Sequence, residues 1–338
     1  MLRYRIYADA AADIPADVQK RYNIGILPIA VTMGEQTYQS GTELDNDEFY
    51  RLMEAYSGIP VTSQITPFTF EELYVRELKE GTKHLIVLLI NSEGSATYNN
   101  AVNTRERFYA DNPNAAEQMQ IHLFDGASYS GGYGYAAILA AQKLEMGVSV
   151  EEVLGMIQDQ LDTQRIYFGL YTLKYAGKSG RIPGAAVFVG EALGIKPIMQ
   201  VWDHQISTVG KARGDKKLVK EIAKMVVNDI EPRTPYSLVY GSDAMALEEI
   251  REEMTKKLGY PPVYDFQVGA AVAINAGPRV VGVVFETKAK LLKKGKTFQK
   301  MAGTKKEKKK RNPPRAQPPG DSFYFSRIRR KNSRVRGC

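Results

Sequence analysis

Cysteine occurs once in the 338 residues, as the final residue Cys338. Disulfides, thiolate catalysis and cysteine metal ligation are thereby excluded. The three histidines, His84, His122 and His204, stand far apart and in no ligand-spaced motif, so no metal site is expected. No stretch approaches the roughly 20 apolar residues of a membrane span. Met1–Tyr7 leads straight into a strand-like run without a signal-type apolar region, so a cytoplasmic location is expected. Catalytic motifs are equally scarce. There is no Gly-x-Ser-x-Gly elbow, and no histidine is placed to activate a serine. Ala176-Gly177-Lys178-Ser179 lacks the upstream glycine of a P-loop, having Thr172 there. Gly131-Gly132-Tyr133-Gly134 lacks the third spaced glycine of a dinucleotide loop and reads instead as close helix–strand packing. The carboxylate pairs Glu151-Glu152 and Glu248-Glu249 fall on helix surfaces. With no catalytic residue set and no cofactor motif, the chain reads as a binder rather than an enzyme.

An excess of basic charge is also missing from the body. The net charge of +8 comes from residues 287–338, which hold 19 basic residues against Glu307 and Asp321. Residues 1–286 carry 27 basic and 36 acidic side chains. The folded part therefore offers no electrostatic case for nucleic acid. The tail, with its Lys305–Arg311 run and its Pro313-Pro314 and Pro318-Pro319 pairs, cannot bury a core and reads as disordered. Three origins fit it: non-specific attraction to nucleic acid, contact with an anionic membrane, or a shifted reading frame past the natural end.

What is present is an alternation of strands and helices. Arg5–Ala8, Gly25–Val31, Leu85–Ile90 and Gln120–Phe124 read as strands, with helices Ala16–Tyr22, Asp47–Ala55, Pro67–Lys79, Ser95–Tyr109 and Gly132–Met146 around them. This pattern predicts an N-terminal α/β/α domain over residues 1–149 with a parallel sheet. Beyond the Gly147-Val148-Ser149 break, strand-like runs dominate: Tyr167–Leu170, Lys196–Trp202, Gln205–Val209, Tyr236–Gly241, Val263–Gln267, Ala270–Ile274 and Val280–Glu286. Residues 150–286 are expected to form an α+β domain with a mixed sheet.

Two hydroxyl-rich clusters stand out against this frame. Val61-Thr62-Ser63-Gln64-Ile65-Thr66-Pro67 precedes a helix, and Asn91-Ser92-Glu93-Gly94-Ser95-Ala96-Thr97-Tyr98 follows the buried strand Leu85–Ile90. Beyond the carboxyl ends of parallel strands, hydroxyls and free N–H groups can hold an anion without a formal positive charge. The same residue types equally serve as helix caps and turn formers.

At these residues the chain resembles the DegV family of bacterial fatty-acid-binding proteins, along nearly all of 1–286. Asp9-Ala10-Ala11-Ala12-Asp13-Ile14-Pro15 is similar to the family's opening Asp-Ser-x-x-Asp-Leu-Pro, and Thr62–Pro67 to its Thr-Ser-Gln-x-Ser/Thr-Pro. Ser92–Tyr98, Gly177–Ile182, Ile195–Ile198 and Lys211–Gly214 continue the series in order. The resemblance implies a protein that buries a long-chain fatty acid between two domains. It would present the carboxylate to a separate ATP-dependent fatty acid kinase, which makes the acyl phosphate. The family's carboxylate ligands correspond to Thr62, to Ser92 or Ser95, and to Asn275 in place of a histidine. An Asn amide donates a hydrogen bond but carries no charge. Arg181, Lys211 and Arg213 would meet the kinase or its nucleotide phosphates, or else form surface ion pairs. Phe168, Leu170, Tyr171, Leu173, Phe188, Val189 and Ile195 are candidate walls for the acyl chain, and ordinary core packing would also account for each. A polyol kinase of the same architecture is the competing enzyme reading. It needs an acidic Mg²⁺ cluster near a phosphate loop, and the sequence offers none.

Overall fold

The computed structural model describes residues 3–182 and 194–288. The chain runs β1 (Tyr4–Asp9), α1 (Ala16–Tyr22), β2 (Ile24–Leu27), β3 (Ile29–Met33), β4 (Gln36–Ser40), α2 (Asn46–Ala55), β5 (Val61–Ser63) and α3 (Pro67–Lys79). It continues with β6 (His84–Leu89), α4 (Thr97–Asp111), α5 (Ala115–Gln118), β7 (Gln120–Asp125), α6 (Gly131–Glu145), α7 (Val150–Thr163), β8 (Gln164–Leu170) and α8 (Ala176–Ser179). Then follow β9 (Ile195–Trp202), β10 (Gln205–Arg213), α9 (Asp215–Asp229), β11 (Tyr236–Tyr240), α10 (Ala244–Leu258), β12 (Asp265–Gln267), α11 (Ala270–Ala276) and β13 (Val280–Glu286).

Among the described residues there are three sheets. Strands β2-β1-β6-β7 form an all-parallel sheet, and β10-β9-β8-β13-β11-β12 a mixed one whose sole parallel pair is β11 with β12. The expected pairing of a parallel N-terminal layer with a mixed C-terminal layer is thus what the fold contains. The third sheet, β4-β3-β5, is small and antiparallel. It arises because the run Gly25–Val31, expected as one strand, breaks at Pro28. A proline lacks the N–H a ladder needs, so the chain leaves the parallel sheet there and starts another. The turn reading of Val61–Pro67 likewise gives way to a three-residue strand, β5, ahead of α3.

One expected strand is a helix. Ala270–Ile274 reads as an apolar run, yet α11 covers Ala270–Ala276. Short apolar runs do not separate a buried strand from a buried helix, and alanine, present four times in these seven residues, tips the choice toward helix. The caps follow local chemistry. Asp45 and Thr66 accept from the Glu48 and Thr69 amides, and Ser149 with Glu152 forms a reciprocal capping box after Gly147.

Helix α6 lies at the centre. It packs on β1 and β6 of the parallel sheet and on β8, β11 and β13 of the mixed sheet. A helix buried from both sides has no polar face, and ten of its fifteen residues are buried. Its glycines are there for contact. A Cβ on Gly134 would stand 2.3 Å from the Ala12 carbonyl, and one on Gly132 would stand 2.1 Å from Ser128 Oγ. The opposite face of the mixed sheet is covered by α9 and α10 around Leu218, Ile222, Val226, Ile250 and Phe285. At the C-terminal end, Thr287 donates to the Thr163 carbonyl and Lys288 to that of Asp229. From residue 289 on, the basic tail lies outside the described residues, as do Phe188 and Val189.

Gly134→Ala should lower stability by about 1–3 kcal/mol, because backbone rather than a side-chain tip opposes the methyl. Gly155→Ala, in α7 with nothing within 4 Å of the added methyl, should raise it by about 0.5–1 kcal/mol through helix propensity. Urea denaturation of the two variants beside the parent measures both.

Candidate functional site

In the parallel sheet the chain passes from β1 outward to β2 on one side and to β6 on the other. This reversal of strand order opens a crevice beyond the carboxyl ends of β1 and β6. Two aspartates shape it, Asp9 buried and Asp125 half-buried. Asp9, at the end of β1, accepts from the amides of Ala11 (3.0 Å) and Ile90 (2.6 Å) and from the Tyr133 hydroxyl (2.6 Å). Asp125, at the end of β7, accepts from the amides of Ser92 (3.1 Å) and Ala127 (3.0 Å). The loop after β6 is therefore clamped from both neighbouring strands at Ile90 and Ser92.

The second hydroxyl cluster is bonded to the first. Thr97, fully buried, accepts the Ile65 N–H at 3.1 Å, and the Asn100 side chain donates to the Ile65 carbonyl at 2.8 Å. Thr97 Oγ1 also lies 2.9 Å from Ser95 Oγ, which accepts from the Thr97 amide at 3.3 Å. Either hydroxyl can donate in that pair; when Thr97 does, Ser95 keeps its own proton for a ligand. Among the described residues no protein partner engages the side-chain hydroxyls of Thr62 and Ser92. The sequence flagged Thr97 only as part of a motif. Its role as the stitch between clusters depends on the distance from Ile65, which spacing along the chain does not reveal.

These residues line one cavity of about 390 Å³, within the usual range for ligand pockets of about 300–1,000 Å³. Thr62, Ser92, Ser95, Asn275 and Arg181 all border it. Asn275 sits on α11, its amide making a long 3.4 Å bond to the Ala271 carbonyl. Lys211 and Arg213 do not border it; they are exposed at the far end of the edge strand β10.

The facing wall is the mixed sheet. Ile206, Val201 and Ile166 are direct cross-strand partners on β10, β9 and β8, and Phe168, Val280 and Val239 extend the apolar stripe over β8, β13 and β11. Of the described wall candidates from the sequence, Phe168 alone borders the cavity. Leu170 shares its strand face but is buried in the core beyond the cavity, while Tyr171 packs on the α9–α10 side. Ile195 and Leu173 also lie outside the lining. The stripe Ile206–Val201–Ile166 was missed because it is a property of register across strands, not of any one strand.

Among the described residues no group of three or more His, Cys, Asp or Glu gathers at metal-binding spacing. Strand pairing does bring together two histidines that are distant in sequence. His84 Nδ1 and His122 Nε2 lie 3.2 Å apart, with ring centroids at 5.5 Å and planes 14° from parallel. The two nitrogens face one another as a hydrogen-bonded pair. No helix of the described residues is long and apolar enough to cross a membrane.

The family model for the DegV family, a family described as uncharacterised, matches residues 3–288. The chain belongs to the DegV family. Its curated relatives include DegV domain-containing proteins of Caldanaerobacter subterraneus, 26% identical over 291 residues covering 85% of this chain and 100% of the relative, and of Clostridium perfringens, 28% identical over 288 residues covering 84% and 98%. Among solved structures it is similar to a DegV family protein from Thermus thermophilus described for its fatty acid binding, with TM-score 0.74 and 26% identity over 84% of this chain and 99% of that one. It shares its fold with a stearic acid-binding protein from Eubacterium ventriosum, with TM-score 0.73 and 23% identity over 84% and 98%.

This DegV chain carries a titration signature beside the crevice. Desolvation pushes the Asp9 carboxyl up to about 6 and that of Asp13 up to about 8, against the bonds from Tyr133, Ile90 and Ala11 to the first and from Gly269 to the second. Asp9 adds a repulsion that raises Asp13 further. Both acids ionise less readily folded than unfolded. Their contribution to stability is present below the unfolded value, near 4, and is lost as pH rises through about 6 and about 8. Asp13→Asn should remove the upper step. Between pH 6 and 8 the parent should lose stability relative to the variant by up to on the order of 2 kcal/mol, read from melting curves at each pH.

Proposed function

We propose that this DegV protein encloses a long-chain fatty acid, with its carboxylate at Thr62, Ser92, Ser95 and Asn275 and its chain along the mixed sheet. The observation that carries the reading is that both hydroxyl clusters, which the sequence separates by about thirty residues, open into one cavity whose other wall is apolar. Five adjacent strands, β10 to β11, span about 19 Å at the usual strand spacing, a length suited to an extended chain of about 16 carbons. Burial of each methylene contributes roughly 0.8 kcal/mol, so the chain dominates affinity and the head group needs orientation more than charge. Neutral donors give that orientation and leave one carboxylate oxygen open to phosphoryl attack.

The protein is then a carrier subunit, not an enzyme, in phospholipid metabolism. A separate fatty acid kinase supplies ATP and Mg²⁺, meeting the carboxylate at the mouth marked by Arg181. Lys211 and Arg213 lie farther along the edge strand as docking cations. The basic tail is suited to peripheral contact with an anionic membrane rather than to specific nucleic acid recognition. The working location is the cytoplasm.

Mass spectrometry of solvent extracts from the purified protein should find about one long-chain fatty acid per chain. Extracts without acyl chains, together with no binding of added palmitate, would sink the carrier reading. Thr62→Ala and Ser92→Ala should each weaken palmitate binding by no more than about 1.5–3 kcal/mol, since one donor to a charged group is lost while chain burial is untouched. Acyl phosphate formation with the kinase should fall much further, because misplacing the reacting oxygen by about an ångström is costly to chemistry. Asn275→His should preserve or improve it. Turnover at the parent rate in both alanine variants would reduce these hydroxyls to turn formers.

A further inference from the structure

The hairpin joining β9 to β10 turns on Asp203 and His204, both left-handed, at φ 52° and 69°. Two-residue hairpins of this hand favour Asn-Gly or Asp-Gly, because the second position suits a residue without a Cβ. Histidine is a poor choice for such a turn, and a disfavoured backbone at a cavity points from the outlier toward a use. The ring has one. Its Nδ1 lies 2.8 Å from Asn91 Oδ1, and the Asn91 amide nitrogen donates back to the His204 carbonyl at 2.8 Å. Asn91 Oδ1 also accepts from the Glu93 amide at 3.1 Å, and its nitrogen also donates to the Tyr129 hydroxyl at 3.1 Å. These four bonds fix which end of the Asn91 amide is oxygen, so Nδ1 is the nitrogen that donates and Nε2 is left for another partner. The Asp125 carboxylate stands 3.8 Å from Nδ1, and the His204 amide donates to the Ala127 carbonyl at 3.1 Å.

This anchored ring borders a second, polar cavity of about 400 Å³, with Asn91, Glu93, Tyr129, Arg181 and Gln205 around it. Glu93, Gly94, Tyr129, Arg181 and Ile206 line both this cavity and the larger one, so the two adjoin. We propose that the second cavity is a phosphoryl subsite. It takes the phosphate end of an acyl phosphate whose chain lies in the larger cavity, with the Arg181 guanidinium and the Nε2–H of His204 in its imidazolium form, where both ring nitrogens donate, as its donors. The proposal rests on the fatty-acid reading above and extends it from the substrate to the product. An acyl phosphate reaches one phosphoryl group beyond the carboxylate and carries more negative charge. It therefore needs donors, preferably cationic, just outside the neutral hydroxyl site. Arg181 borders both cavities, which is where such a group would emerge. Tyr129 offers a phenol at the same wall. Glu93 is the acidic side chain there, and the Gln205 amide donates to its carboxylate.

The test uses the full chain and two probes: palmitate, and the β-keto phosphonate analogue of palmitoyl phosphate, in which a methylene replaces the bridging oxygen. His204→Gly suits the turn better than the native residue, and His204→Asn tolerates it, so neither should unfold the hairpin. Each variant should bind palmitate within about twofold of the parent and the phosphonate at least about tenfold more weakly, the loss expected for one charge-assisted hydrogen bond. Phosphonate binding unchanged in both variants overturns the proposal. So does an equal loss for both probes, which would make His204 a brace for the Asn91 loop only. If the parent binds neither probe, the fatty-acid reading falls and this inference with it.

Discussion

Two sheets close on one helix, and that constraint governs the rest. Helix α6 can be shared only if its surface is small and apolar on every side, and Gly131, Gly132, Gly134, Ala136, Ala137, Ala140 and Ala141 supply that surface. The close approach fixes the distance between the parallel sheet, which carries the polar loops, and the mixed sheet, which carries the apolar stripe. A cavity with one hydroxyl-bearing wall and one hydrocarbon wall follows from that separation. Neither sheet makes it alone.

The polar wall is held by a second set of constraints. Asp9 and Asp125 satisfy the amides of Ile90 and Ser92 from either side, and Thr97 with Asn100 takes up both main-chain groups of Ile65. These bonds occupy the backbone of the loops and leave side-chain hydroxyls facing the space between the sheets. The cost of burying Asp9 at the crevice is visible in its suppressed ionisation, which the three donors around it only partly offset.

Much of this was legible in the sequence. The parallel layer was readable because its central strand β6 is a nearly continuous apolar run and several helices begin at a capping side chain, as Asp45, Thr66 and Ser149 show. The hydroxyl clusters marked themselves by residue type and by their place after strands. What escaped was whatever depends on pairing across the chain. The stripe of Ile206, Val201 and Ile166 exists only once strand register is set. The Thr97–Ile65 bond and the meeting of His204 with Asn91 join segments from different layers. Ala270–Ile274 failed for a local reason: five apolar residues carry no periodicity that separates helix from strand.

The apolar stripe also bears on how such a protein can change. Its members come from five strands, β8 contributing two, Ile166 and Phe168. The polar wall belongs to other segments with their own bonding. Substitutions that reshape the hydrocarbon side therefore need not disturb the hydroxyl-bearing loops. Descendants of one ancestor could alter the length and shape of the apolar wall, one residue at a time, while the polar wall stayed the same.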